Sequence, residues 1–247
     1  ITFTPSPSVN AGPDQTVGGN NANVTLNGSV VGGSTTGIWS NGGGTFLPSN
    51  TTLNATYQPS AAEIAAGSAT LYLTSTANGN CNAVTDSMKI TITPAPVVNA
   101  GVDRSACANN PTVTLAGTVS GGTTTGIWSG GSGAFNPGAT SLGASYTPTP
   151  AEIALGSVTL TLTSTNNGNC LPVSDNMTIY YTSPPSANAG VDKTVCSNNP
   201  AISLNGSVTI ATGGVWTGGA GTFTPSNTSL NTTYTPKIGR ASCRERV

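Results

Sequence analysis

The residues of this 247-residue chain with the most chemistry to offer are its cysteines, and they recur at a fixed spacing. Cys81 and Cys170 are 89 positions apart, as are Cys107 and Cys196. The chain has no histidine and no Cys-x-x-Cys pair, so the thiols lack the usual company of a zinc site or a nucleophilic triad. Even spacing outside a metal motif points to disulfides in an oxidising compartment. Two pairings fit: Cys107 with Cys170 inside one repeat, or Cys81–Cys107 and Cys170–Cys196 between adjacent repeats. The acids recur too. Asp14, Asp103 and Asp192 each close an Asn-Ala-Gly-x-Asp run, and Asp86 and Asp175 open a later strand. Calcium takes six to eight oxygen ligands, so a turn aspartate can supply only part of a site. With no dense Asp-x-Asp cluster, turn capping is the preferred role, and Asp14, Asp103 and Asp192 stand as weak calcium candidates. No other cofactor is expected.

Trp39, Trp128 and Trp216 also appear once per repeat, each beside glycine. An exposed tryptophan stacks on a sugar ring; a buried one plugs a β-sandwich core. The core is preferred, with Ile38, Ile127 and Val215 then facing outward. Tyr57, Tyr146 and Tyr234 are read the same way, their rings packed and their hydroxyls bonded near the surface. Ser60-Ala-Ala-Glu63 and Thr149-Pro-Ala-Glu152 fit the Ser/Thr-x-x-Glu capping box. That makes Glu63 and Glu152 helix caps rather than catalytic acids. Every acid before residue 237 sits at a recurring position, as structural residues of a duplicated domain would, and no nucleophile motif is present. The sequence therefore argues against an enzyme.

These residues are positioned by a unit of about 90 residues. Asp14 to Asp103 and Trp39 to Trp128 are 89 apart, and Trp128 to Trp216 is 88. Such a unit is long enough to bury its own core, unlike a solenoid repeat. Residues 1–8 read as the end of a preceding repeat, 9–97 and 98–186 as two complete ones, and 187–236 as a third lacking its last two strands. Residues 237–247 depart from the pattern. One set of codons that would encode them resembles a widely used sequencing-library adapter read in frame, and they are taken as a non-native tail. That tail holds four of the seven Lys and Arg residues.

Within each repeat apolar residues alternate with Thr and Ser, as in Leu71-Tyr-Leu73 and Met88-Lys-Ile90-Thr-Ile92, the period-two signal of half-buried strands. Asn78-Gly79 and Asn167-Gly168 mark hairpins. The count is about seven short antiparallel strands per repeat, with one short helical turn at each capping box, closed by Gly67 or Gly156. The fold class is all-β, a tandem array of Ig-like sandwiches. Charged residues are only 6% of the chain, leaving no basic patch for nucleic acid, and no apolar run is long enough to span a membrane. The joints, Thr93-Pro-Ala-Pro-Val-Val98 and Thr182-Ser-Pro-Pro-Ser-Ala187, are proline-rich and should be semi-rigid.

The Asn-Ala-Gly-x-Asp opening, the Leu-Thr-Leu-Thr-Ser-Thr run, the Asn-Gly-Asn-Cys loop and the closing Thr-Ile-Thr strand together resemble PKD-like domains. Over residues 1–236 the chain is similar to the tandem Ig-like repeats of large secreted surface proteins, adhesin-like in character, of Bacteroidetes-type bacteria. In the middle it carries Ile38-Trp39-Ser40-Asn41-Gly42-Gly43 where PKD domains proper have a Trp-x-Phe-Gly-Asp-Gly motif. The resemblance implies an extracellular or cell-surface protein whose repeats act as stalks, spacers or adhesive modules. Their partners would be neighbouring repeats of the same chain and surface glycans or proteins outside the cell. The alternative is a carbohydrate-binding or accessory array of a secreted hydrolase, which needs an exposed tryptophan or tyrosine.

Overall fold

The structure is a computed structural model and describes residues 3–196 and 198–237. The last ten residues of the expected tail and the first two of the expected leading strand lie outside the described residues.

The first repeat runs β1 (Ser8–Asn10), β2 (Gln15–Gly18), β3 (Val24–Thr25), β4 (Ser29–Val31), β5 (Thr36–Ser40), β6 (Thr45–Leu47) and β7 (Thr56–Gln58). A helix, α1 (Ala61–Ala66), then leads to the two long strands β8 (Ser68–Thr76) and β9 (Thr85–Thr93). One sheet is ordered β2-β9-β8-β5; facing it are β3-β7-β6 and the β1–β4 pair. This is an Ig-like sandwich. Nine strand segments replace the seven expected, because several runs are broken into short pieces. All pairings are antiparallel except β2 with β9, which run parallel with Val17 opposite Ile92.

Alternation sets which side chains enter the core. Along β8, Ala69, Leu71, Leu73 and Ser75 are buried while Tyr72 is exposed, and Met88, Ile90 and Ile92 of β9 join them. From the opposite side come Val24, Leu26, Val30 and Tyr57, with Trp39 of β5 completely buried among them. A register slip of one residue would turn the whole inward set to solvent.

The helix forms as its signals predict. Ser60 accepts from the Glu63 N–H, the Glu63 carboxylate accepts from the Ser60 N–H, and Gly67 closes the helix at φ +75°. The second repeat copies this at Pro150–Leu155, with Thr149 and Glu152 as the box and Gly156 at φ +81°. Its large sheet has the same order, with strands 104–107, 174–182, 157–165 and 125–129.

The chain divides into two compact units, residues 1–105 with 112–180, and residues 106–111 with 181–247. The first holds the two sandwich cores just described. In the second, Ile202–Asn205 pairs with Asn231–Thr235, which also pairs with Thr222–Thr224. Ser186–Asn188 pairs with Ser207–Thr209. Trp216 there is half-buried beside a cavity of about 120 Å³ lined by Ala187, Val208 and Leu230. The matching glycines have different neighbours in the three repeats. A Cβ on Gly28 would strike both Trp39 and Leu73, and one on Gly117 both Trp128 and Leu162, whereas the nearest groups to one on Gly206 are Trp216 and the Leu230 carbonyl.

Candidate functional site: the joint between repeats

The first two repeats meet, within the first unit, where the turn after β2 of one touches the loop before the last strand of the next. The turn is held by a bridge between Gly18 and Asn21. Its Gly19 N–H donates to the Thr93 carbonyl at 2.8 Å, and the Thr93 hydroxyl donates to the Val17 carbonyl at 3.1 Å. The turn is thereby fixed to the first linker residues. From the second repeat, the Asn169 amide donates to the Thr16 carbonyl at 2.8 Å. The Asn20 side chain pairs with the Leu171 backbone, donating from Nδ2 and accepting at Oδ1, both at 2.9 Å.

Cys170 stands at the centre of this joint. It is 7% exposed, with its Sγ 3.4 Å from the Pro94 carbonyl and 3.5 Å from the Thr93 hydroxyl. Its counterpart Cys81 approaches the carbonyls of Thr4 and Pro5, the same positions of the preceding linker. The linkers also press on the glycine pairs after the fourth strand of each sandwich. A Cβ on Gly33 would collide with the Pro5 carbonyl, and one on Gly122 with the Pro94 carbonyl. Only glycine admits so close a backbone approach.

Cys107 and Cys170 do not form the disulfide expected within the second repeat. All four described cysteines are free thiols. The reason is positional. Cys170 faces the Pro94 carbonyl on the linker entering its repeat, whereas the Cys107 Sγ faces the Ser183 carbonyl on the linker leaving it. The alternative Cys81–Cys107 and Cys170–Cys196 bridges are likewise not made.

The recurring aspartates act as clasps between strand ends. Asp14 accepts from the Lys89 N–H and Asp86 from the Ala11 N–H, both at 2.8 Å. In the second repeat Asp103 accepts from Thr178 and Asp175 from Ala100, again at 2.8 Å. Asp192 lies exposed in the second unit. Among the described residues no three of Cys, Asp and Glu come close enough together to hold a metal ion.

Trp39 and Trp128 are core residues, and each indole N–H donates to a backbone carbonyl, of Leu53 or Leu142, at 3.2 Å. Trp216 makes the equivalent bond to Leu230 at 3.3 Å but is only half-buried. Tyr57 and Tyr146 are fully buried, so the recurring tryptophans and tyrosines of the complete repeats offer no sugar platform, whereas Tyr72 and Tyr180 stand exposed at 40% and 47%. Ile127, as expected, faces outward at 40% exposure.

The sequence did not reveal where the capping glutamates reach. The Tyr57 hydroxyl donates to Glu63 at 2.8 Å and accepts from the Gly44 N–H at 2.9 Å, and the Gly43 N–H donates to Glu63 at 3.0 Å. Tyr146, Glu152, Ser132 and Gly133 repeat the arrangement. One carboxylate thus ties the helix to the glycine loop and to a core ring. Burial and the bond to Glu63 push the Tyr57 hydroxyl up to about 12. For Glu63 burial works toward a higher value, but bonds from Ser60, Tyr57 and Gly43 outweigh it and hold the carboxyl below its ordinary range. Glu152 is lowered in the same way. The signal that could have found the network was the constant spacing of six residues from tyrosine to glutamate in both repeats.

The chain is a tandem array of Ig-like β-sandwich repeats. The carboxylates that would be candidate acids are backbone clasps and helix caps. No family model matches the sequence, and no curated protein does either. Among solved structures it is similar to mouse cadherin-23 repeats EC22–24, at 12% identity over 95% of this chain and 89% of that one, with a TM-score of 0.43. Three consecutive Ig domains of titin match at 11% identity over 97% and 91%, with a TM-score of 0.43. Ig domains 1–5 of Sidekick-1 match at 14% over 84% and 46%, with a TM-score of 0.42.

Proposed function

We propose that these repeats are non-catalytic spacers of a secreted or cell-surface bacterial protein of adhesin-like type, extending and presenting other domains. The observation that supports this reading is the joint. Two of the bonds between the repeats use the Asn20 amide, which matches the donor and acceptor of one backbone residue, and Asn169 supplies another. A flexible Gly-Ser linker would leave the sandwiches free to swivel; a proline-rich linker seated on glycines and bonded side chains restrains them. Their partners are, first of all, neighbouring repeats of the same chain, and the hydroxyl-rich exterior suits an extracellular setting.

The test is a distance distribution between spin labels placed on exposed positions of β8 and of its counterpart 157–165. A narrow distribution that broadens in Asn20→Ala supports a spacer with defined joints. A broad distribution in the unaltered chain overturns it. The carbohydrate-binding alternative predicts glycan binding by the unaltered chain, and a glycan array reads that directly.

A further inference from the structure

We infer that the two cysteine positions of this repeat are halves of one disulfide that crosses the joint, from the turn after the second strand of one repeat to the loop before the last strand of the next. It differs from every pairing expected from spacing. Two separate observations converge on it. The first is the contact between position 18 and Cys170. A Cβ built on Gly18 would lie 2.6 Å from the Cys170 Sγ and 2.5 Å from its Cα. Position 18 is where the second and third repeats carry Cys107 and Cys196, and all three share one backbone bridge, to Asn21, Asn110 and Asn199. The joint between the first two repeats is therefore a cysteine facing the one early position that holds glycine.

The second observation comes from the other side of the bridge, at the next linker. The Cys107 Sγ faces the carbonyl of Ser183 at 4.0 Å. Ser183 is the counterpart of Pro94, whose carbonyl the Cys170 Sγ faces at 3.4 Å. The early and late thiols thus address the same atom of equivalent linkers. Gly19 and Ala108 fix both turns alike, each N–H donating at 2.8 Å to the carbonyl of Thr93 or Thr182. Cys170 faces Gly18, so its thiol has no sulfur opposite it there.

With glycine at position 18 the chains close in further than a bridge allows. A disulfide has an S–S bond of about 2.05 Å and Cβ atoms about 3.5–4.5 Å apart, so a cysteine there would hold the strands about an ångström wider. Bond formation is a thiol–disulfide exchange with an oxidised low-molecular-weight disulfide. One cysteine thiolate attacks that disulfide and releases a thiol. The second cysteine then attacks the mixed disulfide and releases the other. One S–S bond forms for the one broken, and both cysteine protons leave on the released thiols. Such a bridge would convert a hydrogen-bonded joint into a covalent one at every junction that carries both cysteines.

The test is Gly18→Cys in the full chain, treated with oxidised glutathione under native conditions and mapped without reduction. The expected result is a peptide joining position 18 to Cys170, with loss of two hydrogens and of two alkylatable thiols. Cys170 joined to Cys107 or Cys196, or a folded variant in which position 18 and Cys170 both stay alkylatable, would overturn the assignment. Should that variant not fold, the full chain with a further copy of residues 98–186 inserted after Ser186 uses native cysteines alone. There, Cys170→Ser in the original copy and Cys107→Ser in the inserted one should leave the cross-link intact. Its loss would overturn the assignment equally. Because oxidation is performed in vitro, the outcome is independent of where the protein resides.

Discussion

The Asn20 side chain pairs with the backbone of Leu171 as another strand would, accepting from its N–H and donating to its carbonyl, both at 2.9 Å. The two residues are 151 positions apart and belong to different repeats. An amide is the only side-chain group that carries a donor and an acceptor side by side without charge. Asn20→Ala should remove both bonds. At a solvent-exposed site the expected cost is about 1 kcal/mol, seen as earlier chemical unfolding of the first two repeats. Asn20→Asp should cost as much, because an ionised carboxylate cannot donate to the Leu171 carbonyl. Equal stability of Asn20→Asp and the unaltered chain would show that the bond to the carbonyl contributes nothing.

The Glu63 network gives the protein a pH signature at both ends of the scale. Glu63 titrates below its ordinary value of 4.5 in the folded chain. Its contribution is therefore complete above that value and is lost as pH falls through the lower, folded value. Tyr57 is raised from 10.0 to about 12. Its contribution is complete below 10 and disappears as pH rises toward 12. Thermal midpoints measured across pH should fall at both limbs. Glu63→Gln with Glu152→Gln should flatten the acid limb, and each substitution should cost about 1–2 kcal/mol near neutrality. An unchanged acid limb in the double variant would overturn its assignment to these glutamates.

Those clasps are reciprocal. Asp86 holds Ala11, and Asp14 holds Lys89, so the turn before β2 and the start of β9 are joined by two bonds three residues apart. Asp86→Ala leaves a half-buried backbone N–H unpaired and should destabilise the first repeat by about 1–3 kcal/mol. Asp14→Ala should cost less, since its bond is exposed. In a double-mutant cycle the two should be coupled by at least about 0.5 kcal/mol, because each bond aligns the other. Strict additivity would make them independent caps. Added calcium should not raise the thermal midpoint, and a clear rise would restore the metal reading of Asp14 and Asp103.

Much of this was legible in the sequence, for identifiable reasons. Periodicity of two placed Leu71, Leu73, Met88 and Ile90 on one inward face, and Ser60 with Glu63 announced the helix start. These are local signals whose partners lie a few residues away. What sequence could not supply were contacts between distant points. The parallel β2–β9 pairing and the Asp86–Ala11 bond join residues about 75 apart. The cysteine pairing stayed open for the same reason. Equal spacing showed that Cys107 and Cys170 were repeat positions, but it could not choose between a bridge within the repeat and bridges between repeats. That is decided by which linker each thiol touches, Ser183 for one and Pro94 for the other.

Trp39 and Trp216 occupy equivalent positions yet have different surroundings, and fluorescence should separate them. Trp39 and Trp128 are buried in their cores and stand opposite Leu73 and Leu162 of strands 68–76 and 157–165. Trp216 lines a cavity together with Leu230 and Val208. Emission of the full chain should therefore hold a blue-shifted component that acrylamide hardly quenches and a redder one that it quenches readily. Trp216→Phe should remove the second with little change in stability of the first unit. Trp39→Ala should remove part of the first and cost about 3–5 kcal/mol, the range for deleting a large core ring. Readily quenched emission surviving in Trp216→Phe would mean that Trp39 or Trp128 reaches solvent, and the sugar-stacking reading of these repeats would regain its platform.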